Sequence, residues 1–134
     1  MNYLEEEIDS TIREHSLPHK KMSNDEIEQL VFALKKIFLN IKAKHLDPTH
    51  LNKPKKSYDP DFWKKIDKIQ NLQRPILIVQ DRKIHGWEFE TPHDLTRLLS
   101  ETTGFPFWIT SKSLTFLTYM DDHNCVHTSQ TSTA

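Results

Sequence analysis

The chain has 134 residues, 36% of them hydrophobic and 28% charged, with a formal net charge of −1. That length suits one domain and supports a buried core without disulfides or metals as staples. The near-neutral balance argues against a dedicated nucleic-acid or membrane-surface binder, two glycines are too few for a glycine-rich phosphate loop, and the single Cys125 excludes an internal disulfide or a zinc ribbon.

The opening MNYLEEEIDS is acidic, unlike the basic and then apolar start of a secretory signal. No apolar run is long enough to span a bilayer. With one free thiol, these features predict a cytoplasmic protein that does not enter the membrane.

Leu4, Ile8 and Ile12 recur every four residues and predict a short helix from Tyr3 to about His15, stopped by Pro18. Ser23 and Glu26 have the spacing of a capping box. Ile27, Leu30, Val31, Leu34, Ile37, Phe38 and Ile41 then recur at helical spacing and predict a helix over 24–44. Residues 45–58, with Pro48, Pro54 and three lysines, read as a connecting loop. Asp59, Pro60 and Asp61 announce a short helix that buries Phe62 or Trp63, Ile66 and Ile69.

The character changes at Pro75. Ile76 to Val79 and Ile84 to Phe89 read as a hairpin around Asp81-Arg82-Lys83. Thr91 caps a helix whose apolar face is Leu95, Leu98 and Leu99, and Gly104 stands where a left-handed C-cap belongs. Strands follow over 105–110 and 114–120, with Val126 either prolonging the last or starting another. Residues 128–134 read as a frayed polar tail behind a single domain over 1–127. The predicted class is α+β: a helical N-terminal half, then β-β-α-β-β, an antiparallel sheet packed on helices.

Charge is unevenly distributed. Residues 1–34 hold 3 Lys or Arg against 8 Asp or Glu, residues 35–68 hold 10 against 4, and residues 69–134 hold 5 against 7. The lysine-rich middle reads as a solvated helix face and loop. Few aromatics lie among those lysines, so no stacking platform for single strands is evident.

Asp121, Asp122 and His123, with His127 beyond, form the densest polar cluster. Two carboxylates and two imidazoles suit a divalent metal and an activated water, but adjacent residues of a strand point to opposite faces and no third ligand is evident. An Asx turn at the end of a strand accounts for the same residues. Cys125 beside a histidine has no nucleophile context around it, and the remaining histidines read as surface residues. No cofactor and no metal are expected.

The aromatics point to binding. Phe105 and Phe107 share one face of their strand and Trp108 lies on the other. If helices cover one face of the sheet, large aromatics lie exposed beside Glu88, Glu90, Asp121 and Asp122, a suitable surface for a basic protein partner. If helices cover both faces, every aromatic is core.

Residues 86–126 combine Gly86-Trp87-Glu88-Phe89, a helix with Leu98-Leu99, Thr103-Gly104-Phe105-Pro106-Phe107-Trp108-Ile109-Thr110, and a strand running into Asp121-Asp122-His123. This pattern resembles small bacterial α+β immunity proteins encoded beside polymorphic or contact-dependent growth-inhibition toxins. The resemblance implies a cytoplasmic protein that occludes one cognate toxin and has no catalytic residues. The expectation is therefore a non-enzymatic inhibitor of a nuclease-type toxin, with Glu88, Trp108, Asp121, Asp122 and His123 at the interface and no direct nucleic-acid contact. The rival readings are a small metal-dependent hydrolase or nuclease built on Asp121, Asp122, His123 and His127, and a lysine-rich RNA-binding accessory domain.

Overall fold

The computed structural model describes residues 3–40, 45–69 and 71–131. The four-residue recurrence at the start forms helix α1, Tyr3–His15, with Ile8 and Ile12 buried. It stops before Pro18 takes effect, because Ser16 turns left-handed and the Leu17 amide closes back on the Ile12 carbonyl. Strand β1, His19–Lys21, follows.

Helix α2, Asn24–Phe38, starts on the expected capping box, with the Glu26 amide donating to Ser23 and the Ser23 amide donating to Glu26. It ends earlier than the 24–44 expectation. Leu39 is already extended and bridges Leu51, and residues 41–44 of that expectation lie outside the described residues.

The expected loop over 45–58 holds a 3-10 turn, Pro48–His50, and strand β2, Lys55–Tyr58. The next helix is a 3-10 helix, Phe62–Lys68, that buries Ile66. Asp59 supports its start by accepting from the Asp61 amide at 3.1 Å.

Strands β3, Ile76–Gln80, and β4, Ile84–Phe89, make the predicted hairpin. Helix α3, Pro92–Ser100, is capped reciprocally by Thr91 and Asp94. Strands β5, Phe107–Thr110, β6, Phe116–Met120, and β7, Cys125–Gln130, complete the order. Three residues expected in the frayed tail, 128–130, are therefore sheet. Gly104 is not a left-handed cap, since neither glycine has a positive φ.

The protein is α+β, with an antiparallel seven-stranded sheet ordered β1-β4-β3-β5-β6-β7-β2. Two strands lie in the half expected to be helical. Both sheet faces are covered. On one, α1, α3 and the 3-10 helix pack Ile12, Leu98 and Ile66 against Leu77, Trp87 and Phe107. On the other, Ile27, Leu34 and Phe38 of α2 pack against Ile76, Ile78 and Trp108. Strand β3 alternates between these two cores, which is why Ile76-Leu77-Ile78-Val79 is apolar without interruption.

Candidate functional site

The β6–β7 connection is built on one carboxylate. Asp121 Oδ1 accepts from the amides of His123 at 2.8 Å and Cys125 at 2.9 Å, and Oδ2 accepts from His127 Nε2 at 2.9 Å. The Asp121 amide donates to the Cys125 carbonyl, and Asn124 takes a left-handed conformation (φ 65°) to close the turn. This is an Asx turn, in which a side chain replaces a backbone acceptor. Burial pushes the Asp121 carboxyl pKa up, but His127 and the amides of Cys125 and His123 outweigh it and hold the carboxyl below its ordinary value.

With Asp121 holding the turn, Asp122 and His123 stand outward. Their side chains are 71% and 84% exposed and approach each other at 3.6 Å. Beneath them Tyr119 packs on Trp108, ring centroids 4.5 Å apart, and on His127 at 5.9 Å. The Tyr119 hydroxyl pKa is raised by burial, then by the charges of Asp121, Asp122 and Asp47.

Beside the turn, on the face covered by α1 and α3, lies a cleft of about 380 Å³. Trp63, Phe105, Phe107 and Met120 give it an apolar lining, Asp122 and Asn124 stand on its β-turn side, and the last turn of α3 closes another side. The loop between α3 and β5 is held in place from a distance. The Glu7 carboxylate of α1 accepts from the Thr103 amide at 2.7 Å and from its hydroxyl at 2.9 Å.

No protein-family model, no curated protein and no solved structure matches the chain.

Of the five residues expected at an interface, the structure brings Asp121, Asp122 and His123 together on one turn and separates the other two. Glu88 is not on an exposed rim. Its side chain is only 3% exposed, on the α2 face of β4, and Arg74 and Lys112 approach its carboxylate at 3.5 and 3.4 Å. Trp108 is not an exposed anchor either: it is buried under the α2 layer. Helices cover both faces, so most of the sheet aromatics are core.

The residues of the hydrolase reading form two separate pairs, Asp121 with His127 at 2.9 Å and Asp122 with His123 at 3.6 Å. His127 is turned into the sheet while His123 is in solvent, and His127 Nδ1 is buried without a hydrogen-bond partner in the described structure. The oxygens of Asp121 are taken by the turn. Cys125 joins this site through its amide. Among the described residues no group of three or more His, Cys, Asp or Glu side chains is placed to hold a metal ion. Nor is any described helix long and apolar enough to cross a membrane.

A second polar cluster was not visible in the sequence. His85, expected at the surface, is buried in β4, with Nε2 3.2 Å from Asp81 and Nδ1 3.4 Å from Glu5. Lys21 reaches Glu5 at 2.8 Å and Asp9 at 2.7 Å, and Asp9 accepts from the Trp87 indole at 3.0 Å. These residues are far apart in sequence, and they join α1 to the sheet edge. Burial depresses the Lys21 pKa, but its two carboxylate partners more than reverse that and raise it.

Proposed function

We propose that this protein is a non-enzymatic binding protein of the immunity type, acting in the cytoplasm to neutralise a cognate nuclease-type toxin by direct occlusion. The observation that carries this reading is the β6–β7 turn. A turn braced by the Asp121 carboxylate holds the Asp122 carboxylate outward, with His123 at 3.6 Å, beside a cleft with an aromatic lining. A preorganised acidic tip next to apolar contact area fits a basic protein surface, because less ordering is needed on binding. The partner of such an inhibitor is the positively charged substrate site of the toxin, where Asp122 would stand in for a phosphate.

Occlusion needs surface more than chemistry, and Asp121 with its three partners is spent on shape. The lysine-bearing edge strand β2 lies next to β7 in the same sheet, and it has no part in this reading.

The gene immediately upstream is the place to seek the toxin. Its product should stop growth when expressed alone and be tolerated when this protein is co-expressed. Toxicity that persists at equal expression would overturn the reading.

A further inference from the structure

We infer that the cleft between α3 and the β6–β7 turn is a pocket for one guanidinium group, an arginine side chain of the protein partner. The inference rests on the binding-protein reading above and narrows it to a single contact.

Three independent features converge on a planar cation. The cleft has aromatic walls, Trp63, Phe105 and Phe107, and guanidinium stacks on such rings more readily than ammonium does. Trp63 already draws a cation of its own chain, with Lys64 Nζ 5.3 Å from the ring centroid. The last residues of α3, Leu99 and Ser100, and Thr102 just beyond it form one wall, so the negative end of that helix dipole adjoins the cleft. Asp122 supplies a carboxylate at the mouth, with His123 as its ionic neighbour at 3.6 Å. Asp121 also borders the cleft, but its oxygens are committed to the turn. Asn124 adds an exposed side-chain amide to the rim.

A volume of about 380 Å³ admits an arginine side chain and its backbone. Glu7 fixes the Thr103 side of the opening from α1, so the walls are in place before a ligand arrives. An anion has nothing comparable to bind: among the described residues that line the cleft there is no lysine or arginine.

The test is a nitrogen–proton correlation NMR titration of the intact protein with N-acetylarginine methylamide. The probe's neutral isostere, N-acetylcitrulline methylamide, and the corresponding lysine derivative serve as controls. Arginine should shift the Trp63 indole and the amides of Gly104, Asp122 and Asn124 in a saturable way. Asp122 is exposed, so Asp122→Asn should leave the fold intact, and it should weaken binding by about two- to fivefold, the range of a solvent-exposed ion pair. Lysine should bind more weakly than arginine, and citrulline should not shift these signals. A flat arginine titration, or citrulline or lysine binding as well as arginine, overturns the pocket. The two readings fail separately. If Asp122→Lys abolishes toxin binding while arginine leaves the cleft signals unmoved, the binding face stands and the guanidinium pocket falls. If arginine binds as described and no toxin is neutralised, the pocket stands and the immunity reading falls.

Discussion

Asp121 and Asp122 are neighbours in sequence with opposite employment. The first accepts from two amides and an imidazole and holds the β6–β7 turn, while the second is 71% exposed with its carboxylate directed to solvent. Any variant that changes both at once mixes folding with binding.

Separating them gives the first prediction. Asp121→Ala removes three hydrogen bonds, leaves two amides unpaired at the turn, and should cost about 1–3 kcal/mol. Asp122→Lys alters a solvent-exposed side chain and should stay within about 0.5 kcal/mol of wild type. Urea denaturation of the two proteins tests this, and equal midpoints would contradict the division of roles.

The same carboxylate sets a pH dependence. The Asp121 pKa is lowered in the folded protein from an ordinary 3.8. A depressed folded pKa contributes stability that is present above the unfolded value and lost as pH falls through the folded one. The contribution of the Asp121 carboxylate to the stability difference between wild type and Asp121→Asn should therefore be in place above about pH 4, near the ordinary Asp value. Below that it should shrink as the wild-type carboxylate is protonated. Denaturant melts below about pH 4 measure it, and a difference that grows as pH falls through that range would contradict the assignment.

Much of the fold was legible because it is written in short-range signals. The capping pairs Ser23 with Glu26 and Thr91 with Asp94 place two helix starts, and the turn at Asp81 to Lys83 places the β3–β4 hairpin. Strands β1 and β2 were not legible. Both are sheet edges with every residue exposed, so pairing to β4 and β7 is made by backbone alone and leaves no apolar alternation. Lysines, which suit edge strands, looked like loop.

The site was legible in part. The polar cluster after β6 was visible, and so was its Asx-turn character. Burial of Glu88 was not, because the cations that compensate it, Arg74 and Lys112, come from separate loops. Burial of Trp108 had one available signal. The unbroken apolar run of β3 belongs to a strand covered on both faces, and it implied a second helical layer. Trp63 and Phe105 meet at the cleft only through tertiary packing.

That second layer is open to test through α2. Phe38 is fully enclosed there, whereas Phe32 on the same helix is 65% exposed. Phe38→Ala should cost about 3–5 kcal/mol. Phe32→Ala should change stability by no more than about 0.5 kcal/mol. Comparable losses in thermal melts would mean that α2 is rotated from this packing.

The two glycines should respond differently to alanine. At Gly86 a methyl group would meet Ile27 Cδ1 at 2.7 Å and Met22 Sδ at 2.9 Å, so α2 packs directly on the bare backbone. Both neighbours are side-chain ends with some room to turn, and Gly86→Ala should cost about 1–2 kcal/mol. At Gly104 nothing lies within 4 Å of the added carbon and φ is not positive. Gly104→Ala should be neutral or stabilise by up to about 1 kcal/mol through the unfolded chain. Differential scanning calorimetry of both variants decides it, with a larger loss at Gly104 as the contrary result.

The outward tip of the β6–β7 turn is the working surface proposed for this protein. Isothermal titration of wild type and Asp122→Lys against the proposed cognate toxin tests it. A charge reversal there sets like against like on a basic partner. The account predicts a one-to-one complex for wild type and, with unchanged melting behaviour, binding weakened by at least about tenfold in the variant, equivalent to about 1.4 kcal/mol. Equal affinity of the two proteins for the toxin would contradict it.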